Sequence, residues 1–191
     1  MTEPEPIFHL MPPVYTQDHC QGKEGATLVL VEYGDYRCQH CAQVYPLLQL
    51  IQAQFPDVRF VFRHFPSPEL HPFAQHAAEA AEAAGAQGKF WEMHDRLMRH
   101  SGFLDDASLI EHAIALNLDI NRFLHEMSTD IHVAHVLSDY ESGIKSGVSC
   151  TPTFFINGLR FIGDCQSDAL QTSIAEQVSF CGHLNSDLGI A

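Results

Sequence analysis

The sequence predicts an α/β fold interrupted by an all-helical insertion, and three observations carry that expectation. A β-rich apolar run at residues 27–33 is followed by a helical segment and a second β run at 58–64. From about residue 69 to 146 no segment has strand character, and apolar residues recur at helical spacing. The chain then returns to β at Thr153–Ile156, turns at Asn157-Gly158 and closes on a helix. The expected division is a sheet-containing domain from residues 1–65 and 148–191, with residues 66–147 as the helical subdomain.

Each element has a local reason. Residues 1–13 read as a loose arm and 14–25 as an entry strand with turns. Thr27-Leu28-Val29-Leu30-Val31-Glu32-Tyr33 is apolar or β-branched, and Gly34-Asp35 ends it with a turn signal. A helix is expected from about 40 to 54. Val58 to Arg63 alternates apolar and basic residues, and Phe65-Pro66-Ser67-Pro68 stops it. Ala77–Ala84 is Ala-rich, which favours helix and close approach of a neighbour. Phe90, His94, Leu97 and Met98 form a helical stripe, as do Ile120, Phe123, Leu124 and Met127, and Val133, Val136, Leu137 and Tyr140. These stripes read as the packed core of the insertion. A short strand at 160–162 and a helix from about 168 to 180 complete the chain.

The most informative chemistry is Cys38-Gln39-His40-Cys41, placed just after the first apolar strand and at the start of a helix. Orphan N–H groups and the positive end of the helix macrodipole face the first sulfur there. A thiolate is stabilised in that position, so Cys38 is expected to be the nucleophile and Cys41 the resolving thiol. His40, in the first turn, can donate a hydrogen bond or a charge to the thiolate, and Arg37 adds a nearby cation. Leu28, Leu30 and Glu32 share one strand face, so the Glu32 carboxylate is aimed at a buried layer, where it can hold or pass a proton. The competing reading of Glu32 is a strand-end acid in solvent beside Gly34.

Ser149-Cys150-Thr151-Pro152-Thr153 puts a proline directly before an aromatic β run. A cis Thr151–Pro152 bond would bring the Thr151 backbone beside the two sulfurs, where a substrate strand can pair with it. A trans proline entering a strand is the plainer alternative.

With these residues in hand, the chain resembles the DsbA-like family of the thioredoxin superfamily. It is similar both to soluble DsbA homologues and to thioredoxin-like domains fused to some antiporters. The resemblance rests on Val31-Glu32-Tyr33-Gly34-Asp35-Tyr36, Cys38-X-X-Cys41, Gly147-Val148 and Thr151 to Gly158, with Asp18-His19, Gly88-Lys89-Phe90-Trp91 and Met93-His94-Asp95 between. It covers roughly residues 14 to 178. It implies a thioredoxin fold interrupted by a helical insertion, thiol–disulfide exchange, and a cis conformation at Pro152. Gln39, Thr151 and Pro152 are then expected to contact substrate. The family's proline before the His is replaced here by Gln39, so an intermediate, mildly oxidising potential is expected. Relatives usually carry Gly where this chain has Cys150, which makes Cys150 a candidate for oxidation or mixed-disulfide formation.

Composition agrees with one sizeable core. Hydrophobic residues make up 46% of 191, and 10 Lys plus Arg against 24 Asp plus Glu leave a net charge of −14. That charge argues against nucleic acid and anionic membranes as partners. No apolar run reaches the roughly 18 residues of a spanning helix. Met1-Thr2-Glu3-Pro4-Glu5-Pro6 is the opposite of a signal peptide's basic and apolar start, so the expected setting is the cytoplasm. Among the remaining cysteines, Cys20, Cys150, Cys165 and Cys181, a Cys20–Cys165 approach across the sheet domain is conceivable. Two metal readings, one at His132-X-X-His135 and one at Cys38, Cys41 and His40, lack a full ligand set and are not preferred.

The reading is therefore a thiol–disulfide oxidoreductase without an organic cofactor. Its expected partners are protein or peptide thiols and disulfides and a redox-recycling partner. The rivals are a non-catalytic redox sensor or partner-binding domain, and a glutathione-linked transferase or isomerase, whose relatives typically lack the second cysteine.

Overall fold

A computed structural model describes residues 8–165 and 168–187, with residues 180–187 given by backbone alone. Five strands form one sheet in the order β1-β3-β2-β4-β5. They are β1 (His19–Gln21), β2 (Leu28–Gly34), β3 (Val58–His64), β4 (Thr153–Ile156) and β5 (Leu159–Arg160). β2 and β3 run parallel, joined by helix α1 (Gln39–Gln54), and the other pairings are antiparallel. Between β3 and β4 lie five helices: α2 (Ala74–Gly85), α3 (Phe90–Arg99), α4 (Asp106–Ala115), α5 (Ile120–Ser128) and α6 (Val133–Lys145). Helix α7 (Ala169–Asp187) follows β5. The α/β fold with an all-helical insertion is thus observed; α2 begins at Ala74, three residues before the expected Ala-rich run, and α7 continues to Asp187, past the expected end near 180.

Alternation along β2 sends its side chains into two layers. Leu28 and Leu30 join Phe60, Phe62, Phe154 and the buried faces of α1, α2, α3 and α7 in the larger core. Val31 and Tyr33 join Val61, Phe65, Phe155 and Val148 in a smaller core on the other face. Helix α6 closes over that second layer through Gly143. A Cβ there would lie 2.6 Å from the Phe65 ring, so only glycine allows this approach. Asn157 and Gly158 both adopt positive φ, 49° and 81°, which matches the two-residue turn expected between β4 and β5.

Three expectations change. Of the loose arm, residues 1–7 lie outside the described residues, but residues 8–13 are docked. Leu10 is buried in the second core, its N–H donates to Gly158 O at 2.8 Å, and His9 bridges to Leu159. The entry strand shrinks to His19–Gln21, because Gly22 (φ 100°) and Gly25 (φ 75°) turn the chain out of extended geometry. In the stripes, Leu124 and Leu137 are exposed rather than packed, while Phe123 and Val136 are buried.

Alternation in β3 also hides a charge. Arg63 is fully buried, and its guanidinium donates to both Asp18 oxygens (2.8 and 2.9 Å), to Tyr33 Oη (2.9 Å) and to the carbonyls of Pro12 and Pro13. Such a network specifies geometry, and removing one partner strands a charge in the interior. Arg63→Met is expected to lower stability by about 3–5 kcal/mol, because Asp18 stays buried without its cation. A urea-unfolding midpoint within error of the parent would show that the Asp18 carboxylate finds another partner.

Candidate active site

Cys38 is the N-cap of α1, in extended geometry (φ −73°, ψ 119°), so its side chain sits over the free N–H groups of the first turn. Cys38 is 5% exposed and Cys41 fully buried, and both are free thiols. The neutral Cys38 thiol donates to Thr151 O at 3.3 Å, and the Thr151–Pro152 peptide bond is cis. The site therefore joins three separate stretches: the end of β2, the start of α1 and the turn before β4.

The two sulfurs are electrostatically unequal. A hydrogen bond from the Cys41 thiol holds the Cys38 pKa down, to about 5, against the opposing effect of burial. The Thr151 side chain and the backbone N–H groups of Cys41 and His40 add to that stabilisation. Burial pushes Cys41 well above the ordinary thiol range, and its bond to Cys38 and the Glu32 charge push the same way. One thiol is thus ready as a nucleophile, and the other is kept protonated.

Glu32 is fully buried, and neither carboxylate oxygen has a hydrogen-bond partner. Burial, reinforced by the Cys38 charge, raises its pKa from 4.5 to about 8. The solvent-facing reading of Glu32 is excluded. Its neighbour Phe154 is directly opposite it in the β2–β4 register, so the acid lies in the layer beneath the cysteines.

The loop before Cys38 is held by a residue whose part was not legible in the sequence. Asp35 is buried and accepts from Arg37 N (2.8 Å), Ser67 N (3.1 Å) and His71 Nδ1 (2.7 Å), while its carbonyl accepts from Cys38 N (3.0 Å). It staples the loop to the β3–α2 connection, and nothing in local spacing links positions 35 and 71. Tyr36 is fixed in turn by His94, whose Nδ1 lies 3.1 Å from the Tyr36 hydroxyl. Burial lowers the His94 pKa to about 3, so the imidazole stays neutral.

Other expected site residues are more peripheral. The side chains of Gln39 and His40 are exposed, and the His40 backbone N–H is the group that reaches the thiolate. Arg37 turns its guanidinium to Ser101 O rather than to the sulfur. Cys150 is exposed, and its carbonyl accepts from Thr153 Oγ1 at 2.7 Å. Cys20 and Cys165 do not meet: Cys20 belongs to the second core beside Arg59, and Cys165 packs on the first beside Cys150 and Glu32. β1 stands at the sheet edge opposite β5, which forbids that approach. The Cys181 side chain lies outside the described residues. His132 pairs with Glu126 (2.8 Å) and not with His135 on a common metal face.

The family model described as Thioredoxin matches residues 15–176, which include both cysteines, Glu32, Thr151 and Pro152. The chain belongs to the thioredoxin family. Its helical insertion gives it the DsbA-like form of that fold. It is 43% identical over 171 residues to a protein named Na(+)/H(+) antiporter NhaA 1 from Salinispora arenicola, covering 89% of this chain and 26% of that protein. The chain thus spans about a quarter of the length of this curated relative. Among solved structures, a thioredoxin-like oxidoreductase from Silicibacter pomeroyi is 28% identical, with a TM-score of 0.70 over 83% of this chain and 92% of that one. The thiol-disulfide exchange protein alpha-DsbA2 from Wolbachia pipientis, 23% identical, shares the fold with a TM-score of 0.69 over 82% and 85% of the two chains. No helix among the described residues is long and apolar enough to cross a membrane.

Two outcomes follow for the thioredoxin-family site. Alkylation of Cys38 by iodoacetamide should rise with a midpoint near pH 5, and Cys41→Ala should move that midpoint upward. A midpoint near the ordinary thiol value would contradict the assigned hydrogen bonds. Glu32 keeps its proton to about pH 8 when folded but releases it near 4.5 when unfolded, so stability falls as pH rises through that window. Glu32→Gln removes this loss, and the variant should be increasingly the more stable protein between pH 5 and 8 in urea unfolding. A stability difference that does not change with pH would refute the buried-acid assignment.

Proposed function

We propose that the chain is a thiol–disulfide oxidoreductase that exchanges a Cys38–Cys41 disulfide with protein or peptide thiols. The observation that carries this reading is the pairing of a stabilised Cys38 thiolate with a buried, protonated Cys41 above Glu32, which has no hydrogen-bond partner among the described residues. In the oxidising direction a substrate thiolate attacks Cys38 Sγ, the Cys38–Cys41 bond breaks, and the electron pair leaves on Cys41. Glu32 in its protonated form supplies a proton to Cys41. A second substrate thiolate then attacks the substrate sulfur of the mixed disulfide, and Cys38 leaves as a thiolate. The reverse sequence reduces a substrate disulfide, with Cys41 resolving.

Thr151 and Pro152 present backbone to the substrate strand, with the Thr151 carbonyl already beside Cys38. Gln39 and His40, exposed at the mouth of the site, meet the substrate or tune the thiolate. Similarity to the thioredoxin-like oxidoreductase from Silicibacter pomeroyi supports the same reaction class. A recycling partner is required to restore whichever redox state turnover consumes.

A second reading is favoured by the antiporter relatives, whose length this chain covers only in part. In that reading the disulfide is a switch that governs partner binding, without turnover. The rivals separate in one set of experiments. As an enzyme, the chain should catalytically oxidise a dithiol peptide or reduce its disulfide form, Cys38→Ser should abolish turnover, and Cys41→Ser should accumulate mixed disulfides on non-reducing gels. The midpoint in glutathione buffers should fall between about −270 and −120 mV, the thioredoxin and DsbA values. Stoichiometric oxidation without turnover would defeat the enzymatic reading and favour the switch.

A further inference from the structure

Away from the cysteines, three elements bring a histidine–carboxylate cluster together at the junction of sheet and insertion. His19 comes from β1, Glu82 from α2 and His135 from α6. One ligand atom from each lies within 4.8 Å of the others. His19 Nε2 is 2.7 Å from Glu82 Oε1, and His135 Nδ1 is 3.8 Å from Glu82 Oε2. We propose that His19, Glu82 and His135 form a binding site for a zinc-like divalent metal ion, with solvent as the fourth ligand.

The chemistry of the donor set suits such an ion. Two imidazoles and one carboxylate are ordinary ligands of zinc, which prefers four-coordinate sites with Zn–N and Zn–O bonds of about 2.0–2.2 Å. Tetrahedral ligands at those lengths stand about 3.3 Å apart. The separations of 2.7 Å from His19 Nε2 to Glu82 Oε1 and 3.8 Å from His135 Nδ1 to Glu82 Oε2 bracket that value, and one ligand atom from each residue lies within 4.8 Å of the others, so closure on an ion asks these groups to draw together. Hard cations such as magnesium, which favour oxygen, are poorly served by this set.

The surroundings resemble the outer support that metal sites require. A ligating imidazole is normally oriented through its other nitrogen, commonly by a carboxylate. His135 turns Nδ1 to Glu82 and Nε2 to Asp139 Oδ2, at 3.9 Å. Asp139 is held by the His64 backbone N–H at 3.0 Å. Glu82 is itself positioned by His64 Nε2, at 2.8 Å. The His19 ring is clamped flat on Phe90, with centroids 3.4 Å apart. Glu82 and His64 are buried while His19 and His135 are partly exposed, which leaves an entry path from solvent. The competing account is a plain cluster of histidines packed and hydrogen-bonded around Glu82. A bound ion would do more, coupling the sheet edge to two helices of the insertion.

The test uses the full chain in a Cys38→Ser/Cys41→Ser background, so that the active-site thiols cannot compete and failure of the redox reading has no bearing. After chelation, dialysis against zinc chloride should load one zinc per chain, and zinc should raise the melting temperature. Cobalt substituted for zinc should show visible d–d bands without a thiolate charge-transfer band. His135→Ala should abolish loading. Asp139→Asn, which removes the carboxylate facing His135 Nε2 and leaves an amide oxygen for the His64 N–H, should weaken zinc binding roughly 10- to 100-fold. Sub-stoichiometric zinc, a thiolate charge-transfer band, or unchanged affinity in both variants would each overturn the site.

Discussion

The position of Cys38 as the residue that caps α1 is the constraint on which the remaining architecture depends. A sulfur there receives backbone N–H groups that no other atom of the helix uses, and it can ionise without a full countercharge. That benefit exists only if the loop from Gly34 to Arg37 delivers the cysteine at the right height above the sheet. Asp35 sets that height by accepting from Arg37, Ser67 and His71 at once. A flexible loop in its place would lose the pairing of the cap with Thr151 across 113 residues of sequence.

Glu32 is the counterpart of that arrangement. Its carboxyl group is buried beneath the cysteines, and neither oxygen has a hydrogen-bond partner among the described protein groups, which makes its ionised form costly. The low-dielectric layer that raises its pKa also raises that of Cys41, whereas at Cys38 the hydrogen bond from the Cys41 thiol and those from backbone N–H groups outweigh burial. One sulfur looks toward backbone N–H groups, and the other looks into the core.

The insertion and the sheet are joined by buried polar groups as well as by apolar packing. Asp139 accepts from the backbone at the end of β3, Tyr33 pairs with Ser142 at 2.8 Å, and Glu82 receives His19 and His64. Burial opposes ionisation of Glu82, but the hydrogen bonds from these two histidines outweigh it and keep its pKa well below the usual range. Each group would be costly alone, and each is satisfied only when the helices dock in one orientation. The Ala-rich face of α2 permits that docking, because Ala77, Ala80, Ala81 and Ala84 let backbones come close.

Local order along the chain was written into the sequence because it depends on neighbours within a few residues. The apolar runs of β2 and β3, the helical stripes, the Asn157-Gly158 turn and the Cys-X-X-Cys at a helix start all follow from periodicity and turn chemistry. The alternation along β2 even assigned Glu32 to the buried face. What only tertiary structure decided are relations between distant segments that have no local signature. Arg63 reads as one basic residue in an alternating strand and becomes a buried ion-pair centre because Asp18 and two proline carbonyls arrive from the N-terminal segment. His135 reads as a partner of His132 and instead faces Glu82, because the docking of α6 against α2 rather than its own helical spacing sets its neighbours. Sequence periodicity determines which way a side chain leaves its own element, whereas the meeting of two elements depends on a three-dimensional packing that no single segment encodes.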